Sequence, residues 1–247
     1  MNPPVQAMVL AAGFGRRMRP LTAETAKPLL PLGRRTLLDH VLDRLEAAGV
    51  RQIVVNAHWQ ADRLAAHLGA RRGPAALRLR REARLLDTGG AVAAALAEGD
   101  LDDAPLYLVN GDSFWLNGPA PALLRLAGAF DADALDAVLL VHPTFQVASE
   151  TGAGDFALDE WGAVRRPAEQ EIVPYVYAGV QLLHPRALHE AGAPGEPFGM
   201  NSVWDRSIAE GRLRALVHDG LWFHLSTPAD LAQAEDALQA QVTGETR

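Results

Sequence analysis

Cysteine is absent from the 247 residues, which excludes disulfides, thiolate metal sites and a cysteine nucleophile. Lysine is nearly absent as well: of the 23 basic residues one, Lys27, is lysine and the others are arginine. No block of basic residues is long enough to act as a nucleic-acid tail, and a formal net charge of −7 argues against duplex binding driven by phosphate neutralisation. Small anions can still be held locally. No apolar run reaches the roughly 20 residues of a membrane span, and the opening stretch MNPPVQAMVLAAG lacks the basic region of a signal peptide. The chain therefore reads as cytosolic, with neither nucleic acid nor membrane among its partners.

What is present is an ordinary globular composition, 49% hydrophobic and 21% charged, in a chain long enough to bury one large core or two smaller ones. Alanine, arginine, leucine and glycine are abundant in the manner of mutational bias, which accounts for arginine in place of lysine. Short β-type runs at 5–11, 51–57, 77–82, 105–112 and 136–142 alternate with helical patterns. In the segment 36–49, Leu37, Leu38, Val41, Leu42 and Leu45 form one apolar stripe, and Gly49 is placed to end the helix. Such alternation implies an α/β fold, a mostly parallel sheet covered on both faces through right-handed crossovers. Residues 174–184 read as antiparallel and peripheral. A last helix begins with Thr227 as N-cap and Pro228 at its first position. Residues 1–240 read as one domain and 241–247 as a frayed tail.

Ligands of open α/β sheets sit beyond the carboxyl ends of the parallel strands, and four loops there are unusual. In the first, Gly13 and Gly15 allow close backbone approach while Arg16, Arg17, Arg19 and Lys27 supply cations, a combination suited to polyphosphate. It is neither a dinucleotide fingerprint, since Met18 stands where the third glycine belongs, nor a Walker A loop. For G-x-G alone a turn with solvated arginines is the simpler reading. The solitary lysine tips the balance, because a compact ammonium meeting a phosphate at one point is not replaced by a planar guanidinium. In the second, Asn110-Gly111-Asp112 ends an apolar strand, either as a common turn or as a carboxylate placed for a hard cation that bridges phosphates. In the third, Asp87 or Thr88 caps a helix whose first turn holds Gly89 and Gly90; paired glycines weaken a helix unless something packs closely, and a ligand is the expected neighbour. In the fourth, His224 lies just before a helix N-terminus, where a structural role and a ligand role both remain open.

Gly13-x-Gly15-x-Arg17-Met18-x-Pro20-Leu21-Thr22, Lys27-Pro28, the Asn110-Gly111-Asp112 turn and the W-x-H-x-S-T-P run at 222–228 together resemble the sugar-1-phosphate nucleotidyltransferases, from about residue 7 to 238. That resemblance implies a three-layer αβα sandwich with a mixed, mostly parallel central sheet. It implies a reaction in which a sugar 1-phosphate attacks the α-phosphate of a nucleoside triphosphate, with Mg²⁺, releasing pyrophosphate. Within the family the short chain, DTGGA at 87–91 and GAGDF at 152–156 resemble most the N-acetylmuramate 1-phosphate uridylyltransferases of cell-wall recycling. Mannose-1-phosphate guanylyltransferases and glucose-1-phosphate thymidylyltransferases share the phosphate-handling residues, and a non-catalytic nucleotide-sugar binder is the alternative of another class. By this resemblance Ala11, Ala12, Gly13, Gly15, Arg17 and Lys27 hold the triphosphate, with Arg17 and Lys27 catalytic. Glu82, Thr88 and Gly89 border the uracil. Asn110, Gly154, Asp155, Glu171 and Gly179 line the sugar site, and Asp112 binds the metal. Arg165, Arg166 and Arg206 are candidates for the lactyl carboxylate of a muramic sugar.

Two positions depart from the family pattern. Ala26 replaces the first proline of P-K-P, a change of loop stiffness. His224 stands where the family places its second metal carboxylate, so the metal is expected on Asp112 and the nucleotide, with His224 bonded to metal-bound water or substrate phosphate.

Overall fold

The computed structural model describes residues 2–147 and 152–242; of the expected tail, 243–247 lie outside the described residues. Seven strands form one sheet: β1 (Gln6–Leu10), β2 (Gln52–Ala57), β3 (Ala76–Arg81), β4 (Leu106–Asn110), β5 (Ala137–Pro143), β6 (Tyr175–Leu183) and β7 (Leu213–Val217). Their order across the sheet is β7-β5-β6-β4-β1-β2-β3. The β1–β2, β2–β3, β1–β4 and β5–β7 pairs are parallel; β6 is antiparallel to both β4 and β5. Six helices accompany it: α1 (Leu37–Ala47), α2 (Ala61–Ala70), α3 (Asp87–Ala97), α4 (Ala122–Ala129), α5 (Met200–Ala209) and α6 (Pro228–Val242).

Side chains alternate across the sheet, as the pleat requires. Ala7, Val9, Ile53, Val55, Tyr107 and Val109 pack with α1, α2 and α4 on one face. Met8, Val54, Leu106 and Leu108 pack with α3 and α5 on the other. This is the expected three-layer αβα sandwich. The stripe on α1 is buried as its period predicts, and Thr36 and Asp39 form a reciprocal capping box at its start. A third, smaller core joins Met18, Leu30, Leu32 and Leu37 to Phe114, Leu225 and Ala234, so that α6 backs the opening loop.

Two features differ from the sequence expectation. β6 is antiparallel but not peripheral: it lies third from one edge, and its run YVYAGVQLL is buried along most of its length. A strand covered on both faces carries no strict alternation to advertise its position. The edge strand β7 is only partly covered beyond Leu213 and shows no apolar alternation, and the ribbon pairing Phe114–Leu116 with Leu221–Phe223 is too short to stand out by period. Among the described residues no helix is long and apolar enough to cross a membrane.

Candidate active site

The chain steps from β1 outward to β2 and β3, then returns to place β4 on the other side of β1. Open α/β sheets bind ligands at such a reversal, beyond the carboxyl ends of the strands. A cavity of about 590 Å³ opens there. Its floor is set by register, since Leu10 lies between Asn56 and Asn110 on the neighbouring strands.

Ala11, Ala12, Gly13, Gly15, Arg16, Arg17 and Lys27 line one wall. Gly15 has φ +59 and sits so close to Thr22 and Lys27 that a Cβ would approach each at 3.0 Å, whereas Gly13 faces open space. Gly15 therefore shapes the loop, and Gly13 leaves room against it. The buried Thr22 hydroxyl donates to the Gly15 carbonyl at 2.8 Å. Ala26 has φ −74, a value proline also holds, so the missing proline leaves the backbone path unchanged. No carboxylate among the described residues pairs with Arg16, Arg17 or Arg19.

Across the cavity, Gly111 donates its amide to the Leu10 carbonyl at 2.8 Å, and a Cβ there would lie 2.9 Å from that oxygen. This close approach draws Asp112 toward the loop. Lys27 Nζ lies 2.5 Å from Asp112 Oδ2, both half-buried. The two groups picked from separate motifs, 85 positions apart, thus meet as an ion pair.

The base of the cavity holds a buried polar chain. Ala11 donates its amide to Asn56 Oδ1 at 2.7 Å, Asn56 Nδ2 donates to Glu82 Oε1 at 2.7 Å, and the Leu86 amide donates to Glu82 Oε2 at 3.3 Å. It ties the phosphate-type loop to the start of α3, where Leu85, Asp87 and Thr88 line the cavity. Asn56, Leu85 and Ser226 were not expected in the site; Asn56, one residue before the end of its strand, lies level with Asn110 on the other side of Leu10. The α3 start also differs in detail. Leu86 precedes the helix without a side-chain cap, and Asp87 Oδ1 accepts the next amide, from Thr88, at 2.6 Å. The close neighbours of Gly89 and Gly90 are the chain's own Phe198 and Glu196.

Of the other expected positions, Asn110 lines the cavity; Gly89, Gly154, Asp155, Glu171 and Gly179 do not. Gly179, at φ +75 in a register shift of β6, leaves a Cβ only 2.2 Å from Ser113 Oγ and 2.9 Å from Asn110 Nδ2, so it abuts the cavity from behind. Gly154, at φ +80, presses on the Val173 carbonyl, and Asp155 Oδ2 accepts the Tyr177 amide at 2.8 Å. Glu171 is bound by Arg165 at 2.6 Å, whose guanidinium holds its carboxyl down at about 2. Arg166 pairs with Asp205 at 2.7 Å and lies over the Phe156 and Trp204 rings. Arg206 donates to the Ala187 carbonyl.

His224 Nε2 and Ser226 Oγ are 2.9 Å apart, and Ser226 lines the cavity. Burial holds the imidazole below the ordinary 6.5; Asp230 and Asp112 oppose that shift, Arg17 and Lys27 reinforce it. A neutral ring facing two cations can orient hydroxyl, water or phosphate. No cluster of three or more acidic or histidine side chains able to hold a metal occurs among the described residues. The donor set, one carboxylate opposite an anion-binding loop, fits a hard cation completed by ligand phosphates and water.

The chain is 38% identical to an N-acetylmuramate α-1-phosphate uridylyltransferase of Caulobacter vibrioides, over 95% of this chain and 97% of that one. A protein of the same name from Neisseria meningitidis serogroup B is 30% identical, over 94% and 97%. The catalytic subunit beta of a mannose-1-phosphate guanylyltransferase from Drosophila melanogaster is 26% identical over 91% of this chain and 60% of its own length. A crystal structure of UDP-glucose pyrophosphorylase complexed with UDP-glucose superposes with a TM-score of 0.79 at 15% identity, covering 96% of this chain and 98% of the other, which speaks for the fold. The nucleotidyl transferase family profile matches residues 6–240, the span that builds both the sandwich and its cavity, and the chain belongs to that family.

Proposed function

We propose that the protein joins UTP and N-acetylmuramate 1-phosphate into a UDP-sugar and releases pyrophosphate, as the names of its Caulobacter and Neisseria relatives suggest. The observation that carries this reading is the wall on which Arg16 and Arg17, without carboxylate partners among the described residues, stand beside Lys27, with Asp112 opposite, at the sheet's switch point. The roles of individual residues follow from chemistry. The sugar 1-phosphate is already an anion, so no general base is required; its phosphate oxygen forms the new bond to the α-phosphorus, and the α–β bridging P–O bond breaks as pyrophosphate leaves. Catalysis of such a transfer rests on in-line positioning and charge neutralisation. Gly13 and Gly15 let the loop close around the triphosphate, and Arg17 and Lys27 neutralise the phosphates undergoing exchange. Glu82 and Thr88 border the uracil, with Glu82 held in place by Asn56, and Gly89 supports Thr88 from behind the cavity wall, against Phe198. Asn110 faces the sugar, with Gly179 behind it and Gly154, Asp155 and Glu171 on the approach.

A magnesium ion, when bound, supplies Lewis-acid neutralisation of the phosphates, and Asp112 is the residue that would hold it. Lys27, beside Asp112 at the cavity, would offer its ammonium to the nucleotide phosphates. His224 keeps Ser226 and water oriented at the edge of the phosphates. Pyrophosphate release, measured with four nucleoside triphosphates against a panel of sugar 1-phosphates, tests the assignment. UTP with the muramic substrate should be the best pair. Preference for GTP with mannose 1-phosphate would instead match the Drosophila relative's name, and no release with any pair would mark a nucleotide-sugar binder.

A further inference from the structure

Residues 84–90 are clasped by residues 195–198 along a short seam. The Phe198 amide donates to the Leu86 carbonyl at 3.1 Å, and the Gly90 amide donates back to the Phe198 carbonyl at 3.0 Å. Arg84 Nη2 closes one end, donating to Glu196 Oε1 and to the Gly195 carbonyl, each at 2.8 Å. Between these bonds the Phe198 ring is seated on two glycines. A Cβ on Gly89 would lie 2.4 Å from the ring, and one on Gly192 would also lie 2.4 Å from it. Gly90 is limited differently, by the Glu196 carbonyl oxygen 2.3 Å from its Cβ position.

Both Gly89 and Gly90 lie in the first turn of α3, where alanine would favour the helix more than glycine does. The seam explains why alanine is not there. Leu85, Asp87 and Thr88, on the clasped segment, line the cavity, and Phe198 does not. On its other side, Phe198 leads directly into α5 at Met200, whose Asn201 and Asp205 hold Arg166.

We infer that Phe198 is a positioning residue for the nucleotide: its ring, locked between Gly89 and Gly192, holds the 85–88 segment at the cavity wall, and Gly89 is glycine to admit that ring. The inference rests on the nucleotide reading of the cavity proposed above. A residue that orients a binding segment from behind acts on ground-state and transition-state binding alike, which appears in KM more than in kcat.

Steady-state kinetics with each substrate varied in turn, together with the melting temperature of every variant, test this. Phe198→Ala should raise the nucleotide KM about tenfold, with kcat and the sugar-phosphate KM nearly unmoved. Phe198→Leu should stay near wild type, and Phe198→Val should fall between them, carrying the test if the alanine variant does not fold. Gly89→Ala should also raise the nucleotide KM in the wild-type background but add far less in Phe198→Ala, because the methyl then enters the space the ring has left and meets only the residue 198 carbonyl oxygen, 3.1 Å away. Gly90→Ala should be impaired in both backgrounds, since a main-chain oxygen opposes it. An equal penalty for Gly89→Ala with and without the ring would show that the ligand, not Phe198, requires the glycine and would overturn the inference. Normal turnover with an unmoved nucleotide KM in Phe198→Ala and Phe198→Val would overturn it as well. All four nucleoside triphosphates are run, so that a wild type that turns over none overturns the nucleotide reading and the positioning role together.

Discussion

The loop after β1 and the second half of the chain use arginine in opposite ways. In the loop after β1, Arg16, Arg17 and Arg19 have no carboxylate partner among the described residues, and Lys27 has one, Asp112, inside the cavity. In the second half, Arg165 is bound to Glu171 and Arg166 to Asp205, while Arg186 and Arg212 both hold the buried Asp136 at 2.9 and 2.8 Å. Cations whose charge is already met by protein acids have little left for a ligand; they orient loops and satisfy a buried carboxylate that would be expensive alone. Cations gathered on a glycine-bearing loop without such partners repel one another until a polyanion arrives. The contrast separates arginines that hold the protein from basic groups placed for phosphate.

The largest effect that contrast predicts is at Asp112. Asp112→Asn removes the one acidic partner that Lys27 has among the described residues and the carboxylate assigned to the metal, and should lower kcat about 10³-fold with the fold retained; turnover within a few-fold of wild type would detach Asp112 from the chemistry.

A smaller change is expected at His224. His224→Asp restores the carboxylate that the family usually carries there and should keep or raise Mg²⁺-dependent activity, because the neutral ring is not a metal ligand in this account. Loss of activity in that variant, with wild type working far better on Mn²⁺ or Co²⁺ than on Mg²⁺, would make the histidine a direct ligand.

The same burial has a consequence for stability. His40, His142, His184, His218 and His224 are all held below the ordinary 6.5, chiefly by desolvation. Between their depressed values and 6.5 the unfolded chain binds more protons than the folded one, so stability falls as pH drops through that window. The melting temperature should decline from pH 7 to pH 5, before the carboxylates of Asp39, Asp136 and Glu171, also lowered, begin to protonate. A flat or rising profile over that interval would contradict the neutral, buried state of these rings.

The smallest effects sharpen the contrast from its other side. Arg165, Arg166 and Arg206, named from sequence as candidates for a lactyl carboxylate, are engaged with Glu171, Asp205 and the Ala187 carbonyl. Replacing each with alanine should change the ratio of activities on N-acetylmuramate and N-acetylglucosamine 1-phosphates by less than about threefold. A selective loss on the muramic substrate would return that arginine to the sugar site.

Much of the first half was legible because its signals are local. The α1 stripe and the strand-ending Asn110-Gly111-Asp112 each follow from period or from a polar residue closing an apolar run. Lys27 stood out by scarcity alone, and the structure brings it to Asp112. What escaped was non-local. β6 has no alternation because both its faces are covered, so its central place depends on partners far away in sequence. Gly89 and Gly90 announced a close neighbour, but nothing local distinguishes a ligand from Phe198, more than a hundred residues on. Asn56 looked like one more strand residue until its amide was seen bridging Ala11 and Glu82.

The central claim is that a single compact ammonium, not positive charge in general, is needed where Lys27 meets the reacting phosphates. Lys27→Arg tests it most directly, since the charge stays and only its shape changes. Measured with saturating substrates, this variant should show kcat lowered roughly 10²-fold with an unchanged melting temperature. Near-wild-type turnover would contradict the account, for any cation on that loop would then serve.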